Sequence, residues 1–396
     1  MHGGIKKEFL DLGRHPIANA FLTEEEFSDE FFFDLKVCWD EETKLVSIKD
    51  FVEPERIFNN EYPYNTSNSF PMVEHFKSTA EMLKGEFNSK SVLEIGSNDG
   101  PFITNFDREN SVCVEPCGNF SLKTAHMGYQ SYTSFWTTEL SEKIKSHHGK
   151  MDLIYAANCI CHIHDLDDTF KAVHNLLSDD GVFVFEDPSL LRILERGSYD
   201  QIYDEHPHIF SVTALNNLLK RNELTLFRVD NLSVHGGSNR IYVAKENSVD
   251  VEDSVLDNLM REKEFGIDRF ETYEIFAERV AGSKKDLMGL LRKITDGGKR
   301  IMSIGATAKS TTVFNYCGIG KELIDVITDT TLDKQGKFSP GMHIPIMSRD
   351  DVNILDYDYV YLGAWNFKDV IANKEREFVE KGGKFITHVP TVMEFS

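Results

Sequence analysis

Tyr203, Glu205 and His206 place a phenol, a carboxylate and an imidazole within four positions, inside the segment from Tyr199 to Ser211. Those residue types suit removal of a proton beside a carbonyl. An imidazole accepts the proton near neutral pH, a carboxylate orients it, and a tyrosine hydroxyl donates to the forming enolate oxygen. A loop with a polar cap would use the same residues. A second group begins at Val92-Leu93-Glu94-Ile95-Gly96-Ser97-Asn98-Asp99-Gly100, an apolar run that enters a glycine turn ahead of a helix. Glycine permits the sharp turn and lets a ligand approach the backbone. The next apolar run ends in Glu115, 21 residues after Glu94, where a carboxylate can accept from both ribose hydroxyls of an adenosine group. Many α/β proteins carry a plain turn of this kind. This one lacks the spaced three-glycine dinucleotide fingerprint, and its Asn98-Asp99 pair is polar without phosphate-binding character.

Three further segments carry polar groups at positions where a sheet should end. Ala156-Ala157-Asn158 leads into Cys159-Ile160-Cys161-His162, at the carboxyl end of an apolar run, which is where open α/β sheets bind ligands. His235-Gly236-Gly237 precedes Ser238-Asn239-Arg240 and reads equally as a hairpin turn. Ile304-Gly305-Ala306-Thr307-Ala308-Lys309 follows an apolar run and opens a helix. Backbone N–H groups, hydroxyls and Lys309 there make an anion site. The absence of a Gly-Lys-Ser/Thr ending argues against an ATPase loop.

The elements that must position these groups fall into three regions. Residues 1–75 are aromatic-rich with little helical or strand periodicity, and read as a small irregular module, a lid over a site. Residues 76–247 alternate strand and helix. Strands are expected at 91–95, 111–115, 151–155 and 181–185, with a closing edge strand at 239–244. Continuous apolar strands between helices imply a parallel sheet covered on both faces. Charged amphipathic helix over 250–298 then connects to a second open α/β unit, within the region 248–396, with strands expected at 299–304, 323–328, 357–362 and 384–389.

Composition narrows the partners. A chain of 396 residues with 41% hydrophobic and 27% charged residues folds as several packed domains. A net charge of -22 argues against a nucleic-acid partner, which needs a cationic face to release counterions. A small anion held locally remains compatible. The six cysteines are sparse and several lie in apolar stretches, as reduced thiols of a cytoplasmic protein do. No segment reads as a signal sequence or a membrane span.

The glycine turn and acidic strand end resemble class I S-adenosylmethionine methyltransferases. The whole chain resembles the sugar C-methyltransferase family of deoxysugar biosynthesis. That resemblance runs through Leu10-Asp11-Leu12-Gly13, Pro16–Leu22, the turn at Gly96, Tyr203 with Glu205-His206, and His235-Gly236-Gly237-Ser238. It continues through Asn315–Gly320, Lys334-Gln335-Gly336-Lys337, Pro340–Pro345 and Ala364-Trp365-Asn366. The resemblance implies a Rossmann-like methyltransferase domain, a second α/β domain that holds a nucleotide sugar, and S-adenosylmethionine as cofactor. Glu94, Gly96, Asn98, Gly100, Glu115 and Asn158 would then hold the cofactor. His206 would be the base beside a 4-keto group, with Tyr203 and Glu205 steadying the enolate. Tyr64, Ser67, His162, His235, Arg240, Lys309, Asn315 and Trp365 become the candidate substrate contacts.

Two departures from the family stand out. Relatives carry a zinc site of two Cys-x-x-Cys pairs in the N-terminal module, whereas Cys38 is here followed by Trp39-Asp40-Glu41 and has no partner cysteine. One cysteine cannot build a tetrahedral thiolate site, so no metal is expected. Asn68 replaces an aromatic and Asp204 a histidine, which leaves the sugar and the methylated atom open. O- or N-methylation of a small metabolite, and a non-catalytic binding homologue, are the competing readings.

Overall fold

The computed structural model describes residues 5–396. Strands β1 (Lys6–Pro16) and β2 (Phe32–Asp40) form an antiparallel ribbon, with β3 (Val46–Ile48) on the far edge of β2. Much of the segment expected to be irregular is therefore sheet. Its inside–outside alternation is broken by register shifts between Glu8 and Leu10 and between Asp11 and Arg14. Each shift throws the following side chains out of step and erases the period-2 pattern. Leu10, Leu12, Leu35, Val37 and Trp39 are buried in one core with Tyr273, Phe276 and Leu287 of a long helix.

The helix Phe70–Phe87 crosses residue 75 and sends Met72, Phe76, Ala80 and Leu83 under the middle sheet. That sheet contains β4 (Val92–Ile95), β5 (Ser111–Val114), β6 (Gln130–Tyr132), β7 (Met151–Ala157) and β8 (Leu177–Pro188). A short β9 (His208–Ile209) leaves to pair with β3, stitching the middle of the chain to the N-terminal ribbon. The hairpin of β10 (Leu224–Leu232) and β11 (Ser238–Lys245) returns to the middle sheet. The order is β10-β11-β8-β7-β4-β5-β6. The 239–244 segment is thus not the edge, because β10 covers it. All four residues of β4 are buried, as in a parallel strand covered on both faces.

From β4 the chain steps to β5 and β6 on one side, then crosses to β7 and β8 on the other. The crevice at the carboxyl ends of β4 and β7 is a topological switch point, where such sheets bind ligands.

Helices Asp253–Phe265 and Phe270–Asp296 lead into the last sheet. Its strands are β12 (Ile301–Ile304), β13 (Ile327–Thr328), β14 (Ile346–Met347), β15 (Tyr359–Leu362), β16 (Lys384–Thr387) and β17 (Met393–Phe395), in the order β14-β13-β12-β15-β16-β17. Of the strand expected at 323–328, Ile327–Thr328 form β13, and the Asp325 N–H and Val326 carbonyl already bond to Ile301 and Ser303 of β12. Leu323 and Ile324 are buried in a turn whose N–H groups donate to the Gly320 carbonyl. Central β12 runs parallel to both β13 and β15, so a second switch point opens beyond Ile304 and Leu362. No helix among the described residues is long and apolar enough to cross a membrane.

Candidate active site

Both switch points open on one cavity of about 560 Å³. Gly96, Asn98, Glu115 and Asn158 line it from the middle sheet, and Thr307, Lys309, Ala364 and Asn366 from the last sheet. Asn19, Phe58, Tyr62 and Tyr64 line it from the N-terminal region, and Tyr203, Glu205, His206 and His235 complete the wall.

The cofactor turn is held by buried polar contacts. Gly96 has φ +70°, and a Cβ there would lie 2.6 Å from Cys159 Sγ. A larger residue would therefore close the cleft between β4 and β7. Glu115 accepts from the Asn98 N–H at 2.8 Å and from the Cys117 N–H at 2.9 Å. Each carboxylate oxygen keeps a further lone pair. Burial raises the Glu115 pKa above the ordinary carboxylate value. A glycine-walled crevice with an acidic strand end inside it fits S-adenosylmethionine.

The other expected cofactor residues divide. Glu94 lines the cavity but accepts from the Ile103 N–H at 3.1 Å, and burial pushes its pKa well up. Asn98 turns its side chain to the N-terminal loop, accepting from the Thr66 N–H and donating to the Tyr64 carbonyl, both at 3.0 Å. Gly100 lies outside the lining. It faces Thr124, whose methyl carbon would be 3.0 Å from an added Cβ.

At the centre, His206 Nδ1 donates to the Gln201 carbonyl at 2.8 Å. In the neutral ring this leaves Nε2 as the free lone pair. The orienting group is thus a backbone carbonyl, where the sequence suggested a carboxylate. Burial lowers the His206 pKa to about 4. His206 stacks on His162 with ring centres 5.2 Å apart, and His162 stacks on Phe58 at 5.4 Å. The Tyr203 ring lies 4.1 Å from that of His206, and burial pushes the Tyr203 phenol well up.

Glu205 instead joins the N-terminal region to the site. It accepts from Asn19 Nδ2 at 2.5 Å and from the Tyr62 hydroxyl at 2.8 Å. Its neighbour Asp204 accepts from the Ala18 N–H at 2.8 Å. Burial raises both carboxyls, and the Glu205 charge adds to the rise at Asp204.

Several expected substrate contacts lie elsewhere. Arg240 faces away from the cavity and donates to Glu186 at 2.8 Å and to Thr79 at 2.7 Å. It sits directly across the β8–β11 ladder from Glu186, so its charge is neutralised within the sheet. Asn315 Nδ2 donates to the carbonyls of Thr311 and Pro340. Trp365 Nε1 donates to Asp200 at 2.5 Å, and its ring packs on Gly236. Ser67 contributes its N–H to Asp99 at 3.3 Å and lies outside the lining. Tyr64, His162, His235 and Lys309 do line the cavity.

The sequence reading assigned no role to Asn19, Tyr62, Gln201 or Lys334, all of which line the same space. Asn19 and Lys334 lie inside stretches that carry the family resemblance, and Tyr62 two positions before the candidate contact Tyr64. Gln201 lies in the Tyr199–Ser211 segment, but it acts through its backbone carbonyl, which a residue type does not mark. Lys334 Nζ donates to the Ala306 carbonyl at 2.8 Å, and burial lowers the pKa of both Lys309 and Lys334.

Comparison with known proteins finds family models over three stretches of the chain. Residues 233–390 match a family described as C-methyltransferase C-terminal domain, residues 73–229 one described as methyltransferase domain, and residues 2–58 one described as putative zinc binding domain. The chain is 30% identical over 395 residues to the C-methyltransferase NovU of Streptomyces niveus, covering 97% of this chain and 93% of that one. The chain belongs to the S-adenosylmethionine-dependent C-methyltransferase family.

Solved structures similar to part of this methyltransferase include a S-adenosylmethionine-dependent methyltransferase from Clostridium acetobutylicum. It is 14% identical, with 44% of this chain and 92% of that one covered and a TM-score of 0.33. The PH0226 protein from Pyrococcus horikoshii is 15% identical, covering 50% and 100%, with a TM-score of 0.36. The N-terminal module of this methyltransferase does not fit zinc. Cys38 is the one cysteine in residues 1–58. It is buried in β2, and burial raises its thiol pKa.

Proposed function

We propose that this enzyme methylates the carbon beside the keto group of a nucleotide-linked 4-keto-deoxy sugar, with His206 as the base that removes the ring proton. The observation that carries this reading is the His206 tautomer. Nδ1 is tied to the Gln201 carbonyl, so the only lone pair on the ring is at Nε2, in a cavity wall shared with Tyr203 and Glu115. S-adenosylmethionine, when bound near Gly96 and Glu115, supplies an electrophilic methyl group on a sulfonium.

The wall residues then have separate tasks. His206 Nε2 takes the proton from carbon, leaving an enolate. Its depressed pKa keeps the imidazole neutral but also makes it a weak base. An anionic substrate in the same cavity raises that pKa by Coulomb attraction. Tyr203, its phenol still protonated, donates to the enolate oxygen. Glu205 holds Asn19 and Tyr62, so the N-terminal region closes over the reacting carbon and keeps water from reprotonating it. Lys309, in the first turn of the helix Ala308–Cys317, and Lys334 supply positive charge for a diphosphate. They do so inside a protein whose net charge is -22.

The test is methyl transfer to a nucleotide-linked 4-keto-deoxy sugar in deuterated buffer. The wild type should wash the ring proton into solvent and form a carbon–methyl bond. His206→Asn should lower both by about 10²- to 10⁴-fold. Methyl transfer without proton exchange would assign an O- or N-methyltransferase, and full turnover by His206→Asn would remove the base.

A further inference from the structure

One side-chain group at the centre of the molecule has a chemistry that methyl transfer does not call for. Cys161, His162 and His206 each present a ligand atom, and the three atoms lie within 4.8 Å of one another. It is the one such group among the described residues. His162 Nε2 is buried and has no hydrogen-bond partner. His206 Nδ1 is bound to the Gln201 carbonyl, which turns the lone pair to Nε2. The His206 tautomer therefore leaves Nε2 free to bind an electrophile, and His162 Nε2 has no competing hydrogen bond.

The scaffold is firm where a site requires it. Cys161 and His162 belong to one short turn, Ile160–His162. That turn is pinned by the Cys161 N–H donating to Asp187 at 3.2 Å, and by the His162 N–H donating to the Cys159 carbonyl at 3.0 Å. The third group is held against it by the His162–His206 ring stack. Drawing three atoms from within 4.8 Å to the roughly 3.5 Å spacing of a tetrahedral centre takes side-chain shifts of about 1 Å.

We propose that Cys161, His162 and His206 form a binding site for a soft divalent transition ion of the zinc type, with its fourth position open to the cavity. One thiolate and two neutral imidazoles are the donor set such ions prefer over magnesium or calcium. On binding, Cys161 gives its S–H proton to solvent, an S–metal bond forms, and the two nitrogens donate their lone pairs without oxidation or reduction of any group. The ion then occupies the lone pair of His206. The enzyme is held inactive while the ion is bound, a consequence that rests on His206 being the base.

Cobalt(II) added to the purified, chelator-treated full chain reads the site without reference to activity. Roughly one ion should bind per chain, with a near-ultraviolet thiolate-to-cobalt band and the visible intensity of a four-coordinate centre. Cys161→Ser should abolish the near-ultraviolet band, and His162→Asn should weaken binding by at least about tenfold. Zinc should displace cobalt and bleach both features. Absence of the band in the wild type, or its survival in Cys161→Ser, overturns the site. In methyl-transfer assays zinc should inhibit the wild type, and Cys161→Ser should need about tenfold more or greater. A Cys161-dependent cobalt band without zinc inhibition would uphold the site and remove His206 as the base.

Discussion

Arg240 distinguishes a residue that binds substrate from one that holds the sheet together. Its guanidinium donates to Glu186 at 2.8 Å, and that carboxylate also contacts His75 at 2.6 Å and the Tyr155 hydroxyl at 3.2 Å. Glu186 is 2% exposed. Arg240→Met keeps an apolar stem but removes the permanently charged partner of a carboxylate that water cannot reach, leaving it His75 and the Tyr155 hydroxyl. Removing one partner of a buried ion pair costs up to about 3–5 kcal/mol. The double variant Arg240→Met/Glu186→Gln removes the stranded charge with its partner, so it should lose no more than about 2 kcal/mol. Hydrogen exchange resolved to peptides reads this locally. Amides of β8 and β11 should exchange about 10²- to 10⁴-fold faster in Arg240→Met, and most of that protection should return in the double variant. S-adenosylmethionine affinity of the folded protein should not change, because Arg240 does not line the cavity. Unaltered exchange together with weakened substrate binding would refute the structural assignment and restore Arg240 to the substrate site.

Two further outcomes follow from the contacts around the cavity. Glu115→Ala leaves the N–H groups of Asn98 and Cys117 without their carboxylate, and should lower S-adenosylmethionine affinity about 10- to 100-fold by calorimetry, with the far-ultraviolet dichroism intact; equal affinity would detach Glu115 from the cofactor site. His15 is buried with its ring nitrogens against the Gly13 and Thr312 carbonyls, and burial lowers its pKa below 6.5. A lowered histidine pKa means that the unfolded chain takes up a proton the native protein refuses. Its contribution to stability is present above pH 6.5 and is lost as pH falls below it. Urea unfolding between pH 7.5 and 5.5 should show His15→Gln losing less stability with acid than the wild type, by up to about one proton of slope; identical slopes would refute it.

What was legible in the sequence follows from how much each element depends on its neighbours. Val92–Ile95 and Val182–Phe185 could be read because a strand covered on both faces is almost wholly apolar and ends at a turn. The β1–β2 ribbon could not, because two bulges scramble its alternation. Leu224–Leu232 was missed for the opposite reason. As an edge strand it keeps one side polar, and Thr225, Arg228 and Asp230 dilute its apolar signal. Leu323 and Ile324 were over-read, since an apolar run records burial and not extension. Within the site, Gly96, Glu115 and His206 could be placed on the cavity wall because each sits in a local pattern of strand end, turn or charged cluster. Asn19 reaches Glu205 across 186 positions, and only the fold brings them together. Arg240 was misplaced because it neighbours the glycine pair, whereas strand parity sends it to Glu186 on the other face.

The cavity wall also shows how a sheet end is made to point inward. Asn98, Asn158 and His235 line it with φ of 47°, 48° and 52°. Each sits where a strand has just ended or a hairpin turns. The left-handed backbone costs a side chain about 1 kcal/mol, and asparagine accepts it most readily among residues with a Cβ. At His235 the cost is compounded, for its Nε2 is buried without a partner and burial lowers its pKa to about 3. A buried imidazole nitrogen without a partner, on a residue in the left-handed region, is destabilising. A hydroxyl or phosphate oxygen delivered to it would be bound partly through relief of that desolvation. The turn that strains His235 also lays Gly236 against the Trp365 ring, leaving no room for a Cβ, which would lie 2.7 Å from it. The hairpin of the middle sheet and the β15 loop of the last sheet are thereby locked together at the point where His235 enters the cavity. Strain at one residue is held by packing between two domains, and the same packing aligns their two switch points on a single volume.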